Sequence, residues 1–198
     1  DDDAKITTLE NTPAAALGSC RKKLPDPDKE SAVFERLLGI FRKYDIRYFF
    51  YIGGNDSMDT VAKLSAYTRG HDYEMCIMGI PKTVDNDLVV TDHTPGYGSA
   101  AKYIAVTMQE IIRDCAVYTT KAVTIVEIMG RDAGWLTAAA AVGRAVSGYG
   151  PDLIYLPERN FNMAEFFEDL RGVLEDHPNV VVAVSGGIHF FNGKYVCE

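Results

Sequence analysis

No apolar run in this chain approaches the ~18–20 residues that a membrane-spanning helix needs, so a membrane role is not expected. Positive charge is scarce: 20 Lys and Arg stand against 28 Asp and Glu, for a net charge of −8. With no basic stripe, a general nucleic-acid surface is excluded, and any phosphate-binding cations must be local. The four cysteines, Cys20, Cys76, Cys115 and Cys197, form no CxxC pair and read as reduced thiols of a cytoplasmic protein. His71, His93, His177 and His189 show no metal-ligand spacing. No GxGxxG and no Walker A motif is present, which speaks against a nicotinamide dehydrogenase. The start, Asp1-Asp2-Asp3, is acidic and lacks Met. It does not read as a signal peptide, and the chain is expected to be part of a longer protein.

What is present is an alternation of helix and strand. Residues 27–44 place Val33, Phe34, Leu37, Leu38 and Phe41 at helical spacing, and 46–52 is an aromatic and β-branched run suited to a buried strand. Helices are expected at 57–69, 99–114, 133–147 and 163–175. Strands are expected at 74–80, 122–128, 153–156 and 180–184. The pattern predicts an α/β fold, doubly wound, with a mainly parallel sheet covered by helices on both faces. In such folds ligands bind beyond the carboxyl ends of the strands.

The informative residues fall at those ends. Gly53-Gly54-Asn55-Asp56-Ser57 lets backbone approach an anion closely, ahead of a helix whose free amides and dipole suit a phosphate. Read alone, the same run is equally an ordinary turn with Ser57 as the cap. Pro81-Lys82-Thr83-Val84-Asp85-Asn86-Asp87 puts a lysine and two carboxylates in one loop. One carboxylate can take a proton from a hydroxyl while the other holds a metal or orients substrate, and Lys82 can neutralise phosphate charge. Met129-Gly130-Arg131 brings a guanidinium to a third strand end, and Glu158 after Leu156-Pro157 brings a carboxylate to a fourth. Thr94-Pro95-Gly96-Tyr97-Gly98-Ser99 reads as a helix-entry turn with Ser99 near the cap. Arg21 is a candidate phosphate contact or a solvated charge.

Five ordered motifs carry a resemblance: Gly-Gly-Asn-Asp-Ser, Pro-Lys-Thr-Val-Asp-Asn-Asp, Thr-Pro-Gly-Tyr-Gly-Ser-Ala, Glu-Ile-Met-Gly-Arg-Asp-Ala-Gly-Trp and Leu-Pro-Glu. From about residue 17 onward the chain resembles 6-phosphofructokinases and, through Lys82, their pyrophosphate-dependent branch. The resemblance implies transfer of a phosphoryl group from pyrophosphate to the 1-hydroxyl of fructose 6-phosphate, with Mg2+ on the donor phosphates. Asp85 would be the base, with Lys82 and Thr83 also in the catalytic set. Gly53, Gly54, Asn55, Asp56, Ser57 and Arg21 would form the donor site. Thr83, Asp85, Asp87, Met129, Gly130, Arg131, Glu158 and Lys121 would hold the sugar phosphate, and Asn55 and Asp87 would face the metal. ATP-dependent relatives carry glycine in place of Asp56 and Lys82; here the carboxylate fills the space of an α-phosphate and repels it. By the same resemblance, residues 1–26 join the donor lobe, 27–120 form it, and 121–198 belong to the fructose 6-phosphate lobe. A homodimer or higher homo-oligomer is implied.

There are departures. The family commonly has aspartate at the place of Asn55, and an amide is a weaker magnesium ligand. The family arginine supplied by a neighbouring subunit falls at Ala122, with Lys121 beside it as a substitute. The family's opening strand with its glycine-proline-glycine loop and its C-terminal basic residues are not found, so the chain alone is expected to be inactive or very weak. The alternatives are an ATP-dependent 6-phosphofructokinase and a non-catalytic sugar-phosphate-binding subunit.

Overall fold

The computed structural model describes residues 2–12, 15–16 and 18–197. These form two compact units, Asp1–Pro81 and Lys82–Glu198.

The first unit holds helix α1 (Asp2–Leu9), helix α2 (Ser31–Lys43), strand β1 (Tyr48–Gly53), helix α3 (Asn55–Arg69) and strand β2 (Cys76–Pro81). Helix α1 was not anticipated; its residues carry no apolar stripe, and none is buried. α2 begins four residues later than its apolar spacing suggests, because Asp26 organises a turn. Its carboxylate accepts the Asp28 amide at 3.1 Å, and its carbonyl accepts those of Lys29 and Glu30. β1 and β2 run parallel, in register from Tyr48↔Cys76 to Gly53↔Pro81, with α3 as the crossover. Phe34, Leu38 and Phe41 of α2 and Leu64 of α3 form the core with Leu24 and Tyr73, packed against Phe49 and Ile77. The Tyr73 hydroxyl donates to the carbonyls of Phe41 and Ile46, tying the end of α2 to the run into β1.

The second unit carries helix α4 (Tyr97–Cys115), strand β3 (Ala122–Ile128), helix α5 (Trp135–Ala138), a 3-10 turn (Ala139–Ala141), helix α6 (Val142–Ser147), strand β4 (Leu153–Tyr155), helix α7 (Met163–Asp176) and strand β5 (Asn179–Ser185). Its sheet is parallel, in the order β3-β5-β4. β5 is central and buried on both faces, as its unbroken run of valine and alanine requires. Val180, Val182 and Val184 pack with Phe166 and Leu170 of α7. Val181 and Ala183 pack with Met108 of α4 and Leu136 of α5.

The single helix expected over 133–147 is broken into α5, the 3-10 turn and α6. Its start is delayed because the Gly134 amide is taken by the Glu158 carboxylate. The tightened turn then buries Ala139 and Ala140. The compact units divide at Pro81, whereas the sequence draws its lobe boundary after residue 120. Met108 of α4 belongs to the core of the later strands, and α4 therefore sits with them. Among the described residues no helix is long and apolar enough to cross a membrane, and the four cysteines are free thiols.

Candidate functional site

In the first unit the donor candidates gather where β1 meets α3. α3 begins at Asn55, two residues before the expected start, and Gly54 is its cap with extended backbone. Ser57 is thus inside the first turn rather than the capping residue, and its amide bonds back to the Gly54 carbonyl at 2.9 Å. The Ser57 side chain folds over Gly53 so closely that a Cβ there would lie 2.0 Å from its Oγ. Among the described residues no side chain takes up the first amides of α3, so the backbone of Asn55 and Asp56 is open to an anion. Asn55 and Asp56 are both exposed. Asp56 forms an ion pair with Lys23 at 3.2 Å, with both side chains largely in solvent. Lys23 was overlooked in the sequence, and the run Arg21-Lys22-Lys23 was the available signal. Arg21 is exposed on the same segment.

In the second unit the loop Lys82–Asp87 brings charges together. Thr83 Oγ1 accepts the Asp85 amide at 3.1 Å. The Asp85 Oδ1 atom is buried with no hydrogen-bond partner. Partial burial, then the Asp87 carboxylate, pushes the Asp85 carboxyl above the ordinary range; Asp132 adds to the rise and Lys82 opposes it. Lys82 and Asp87 are exposed. A cleft of about 610 Å³ opens on Asp87 and is lined also by His93, Tyr97 and Trp135.

The ends of β3, β5 and β4 lie side by side. After β3, Gly130 adopts a φ of +149°, a conformation open to glycine, and its carbonyl accepts the Ser185 hydroxyl at 2.5 Å. After β5, Gly187 lies so near the Arg131 carbonyl that a Cβ would stand 1.7 Å from it. After β4, Glu158 accepts the Gly134 amide at 2.7 Å and so fixes the loop that carries Arg131. Ser185-Gly186-Gly187 is a part of this cluster that the sequence reading missed, although Gly-Gly after a strand is the signal used at Gly53-Gly54. The side chains of Met129 and Arg131 are exposed.

Lys121 is not brought to this cluster. It precedes β3, at the amino end of the sheet, roughly 25 Å from Met129 at about 3.3 Å per strand residue. The two candidate metal-facing side chains are exposed, Asn55 in the first unit and Asp87 in the second. Among the described residues no three His, Cys, Asp or Glu side chains are grouped to hold an ion. A lone carboxylate such as Asp87 is the kind of ligand that magnesium takes together with waters and substrate phosphates.

Known proteins resemble this arrangement along the whole chain. The pyrophosphate--fructose 6-phosphate 1-phosphotransferase of Xanthomonas campestris pv. campestris (strain B100) is 45% identical over 197 residues, covering 98% of this chain and 47% of that protein. The crystal structure of a pyrophosphate-dependent phosphofructokinase from Nitrosospira multiformis aligns with a TM-score of 0.82 at 40% identity, over 97% of this chain and 48% of that one. One from Marinobacter aquaeolei aligns with a TM-score of 0.78 at 42% identity, over 96% of this chain and 47% of that one. The chain thus spans about half the length of the relatives it matches. The profile of the family described as Phosphofructokinase covers residues 2–198, and the chain belongs to that family.

Proposed function

We propose that the whole protein containing this chain transfers a phosphoryl group from pyrophosphate to the 1-hydroxyl of fructose 6-phosphate, giving fructose 1,6-bisphosphate and inorganic phosphate. The observation that carries the reading is Asp85: a carboxylate with one oxygen buried and unpartnered, beside a lysine and a second carboxylate, beyond a strand end. A buried acceptor without a partner is costly unless a ligand supplies the donor, and the 1-hydroxyl is such a donor. Asp85 takes the hydroxyl proton as the oxygen attacks the phosphoryl group. The P–O bond to the departing phosphate breaks, and the raised pKa of Asp85 helps it hold the proton.

Lys82 offsets charge on the pyrophosphate; magnesium would accompany the donor phosphates and neutralise their charge, with Asp87 and Asn55 as the candidate oxygen ligands. Arg21 and the open amides at the start of α3 receive the donor phosphates. Met129, Gly130, Arg131 and Glu158 receive the sugar phosphate, with the backbone of that loop held by Ser185 and Gly187. Catalysis is then mainly positioning and charge neutralisation, as is usual for phosphoryl transfer. Lys121 stands beside the place of the family arginine that a neighbouring subunit supplies, and its part in sugar-phosphate binding is proposed to be played across a homo-oligomer interface. Four free thiols and this substrate class accord with a cytoplasmic enzyme.

The names of the relatives support pyrophosphate as donor, and so does the chemistry of Asp56 and Lys82. The test is a coupled assay of the whole protein with magnesium, fructose 6-phosphate and each donor in turn. Turnover with pyrophosphate is expected, and faster turnover with ATP would overturn the choice of donor.

A further inference from the structure

Among the described residues from Pro81 to Ser99, Asn86 and Thr94 alone are buried, at 6% and 3% exposure. They are bonded to each other. The Thr94 amide donates to Asn86 Oδ1 at 2.8 Å, and Asn86 Nδ2 donates to the Asp92 carbonyl at 3.1 Å. Between them Val89 and Val90 are exposed and Leu88 is half-buried, so no side chain of this stretch is fully buried. Asn86 also has a φ of +59°, in the left-handed region that asparagine tolerates better than most residues. It lies between the two carboxylates of the loop, and Thr94 leads into α4, whose Tyr97 amide returns to the Thr94 carbonyl at 3.1 Å.

We propose that Asn86 is the positioning residue of the catalytic loop, its amide clamping the loop to the entry of α4 and its left-handed backbone turning Asp85 and Asp87 to different surroundings. One side chain thus satisfies two backbone groups, the Asp92 carbonyl and the buried Thr94 amide, six and eight residues away. Without it, the Thr94 amide would be left buried and unpaired, and the loop would lose its one fully buried side chain before Thr94. The inference rests on the proposed phosphoryl transfer for its kinetic consequence but not for the clamp itself.

The test compares wild type, Asn86→Gly and Asn86→Asp in the whole protein. Glycine keeps the left-handed backbone and removes both hydrogen bonds. It is expected to lower kcat roughly 10–100-fold with KM for fructose 6-phosphate within about threefold, because misplacing a base impairs the chemical step more than binding. Hydrogen exchange of the Thr94 amide is expected to quicken at least about tenfold. Aspartate keeps the oxygen that accepts the Thr94 amide, so it is expected to retain that protection and recover part of kcat. Unchanged exchange in Asn86→Gly would overturn the clamp. Faster exchange with wild-type kcat, or a rise in KM alone, would overturn the positioning role. A wild-type protein without turnover would overturn the functional reading instead, and the exchange experiment would still decide the clamp.

Discussion

As the proposed base, Asp85 is expected to set the pH behaviour. The proposed transfer to the sugar needs the ionised carboxylate, so activity is expected to fall as pH drops through its pKa, which stands above the ordinary range. Asp132 raises that pKa, so Asp132→Asn is expected to move the acid limb of kcat to lower pH. Lys82 lowers it, so Lys82→Met is expected to move the limb to higher pH, whatever the change in maximal rate. Limbs that stay together in all three proteins would show that another group controls the profile. Stability runs the other way. A folded pKa above the unfolded one contributes stability at low pH that is lost as pH rises through the folded value. Ionised Asp85 therefore costs stability near neutrality. Asp85→Asn is expected to lower activity by about 10²–10⁴-fold and to raise Tm by roughly 1–3 °C, measured by assay and calorimetry.

Donor choice belongs to the same scale. Among the described residues Asp56 forms an ion pair with Lys23 alone, in solvent, an arrangement that contributes about 0–1 kcal/mol. Replacing Asp56 and Lys82 together by glycine is therefore expected to leave the fold intact. It should open space for an α-phosphate and raise the ratio of ATP to pyrophosphate turnover at least about tenfold. A ratio that does not move would remove the steric and electrostatic account of donor selection.

At the scale of elements, crossing loops hold the second unit's site together. Gly187→Ala would drive a Cβ into the Arg131 backbone, which has no flexible end to yield. It is expected to lower Tm by several degrees and weaken sugar-phosphate binding in calorimetry. Gly172→Ala, on α7 with open space around it, is expected to stabilise by about 0.5–1 kcal/mol. Equal effects of the two would mean that the crossing is not tight. The strands and most helices were legible because their apolar periodicity is strong: β5 reads as buried on both faces and is so. The strand-end placement of Gly53, Lys82, Arg131 and Glu158 was legible for the same reason. The break of the alanine-rich helix was not, since it depends on the Glu158 carboxylate reaching Gly134 from 24 residues away. Nor were Asn86 and Ser185, whose roles are fixed by long-range hydrogen bonds and a left-handed backbone that no local pattern reveals.

At the scale of the molecule, one face of the β1–β2 sheet decides what this chain needs. Tyr48, Phe50 and Ile52 alternate along β1, and Met78 and Ile80 stand in register beside them on β2; the five are 41–70% exposed. Soluble proteins rarely leave a contiguous apolar sheet face of this kind in water. The matched relatives are about twice as long, and in a whole protein of that length further chain is expected to cover this face. The 198-residue piece expressed alone is therefore expected to bind a hydrophobic dye, to self-associate in sedimentation and to show no turnover with either donor. The whole protein should do none of these. Phe50→Lys separates covered from uncovered: in the piece it should reduce association, whereas in the whole protein it should destabilise by about 2–4 kcal/mol through loss of a buried aromatic. A whole protein indifferent to Phe50→Lys would mean that this face remains in solvent there too.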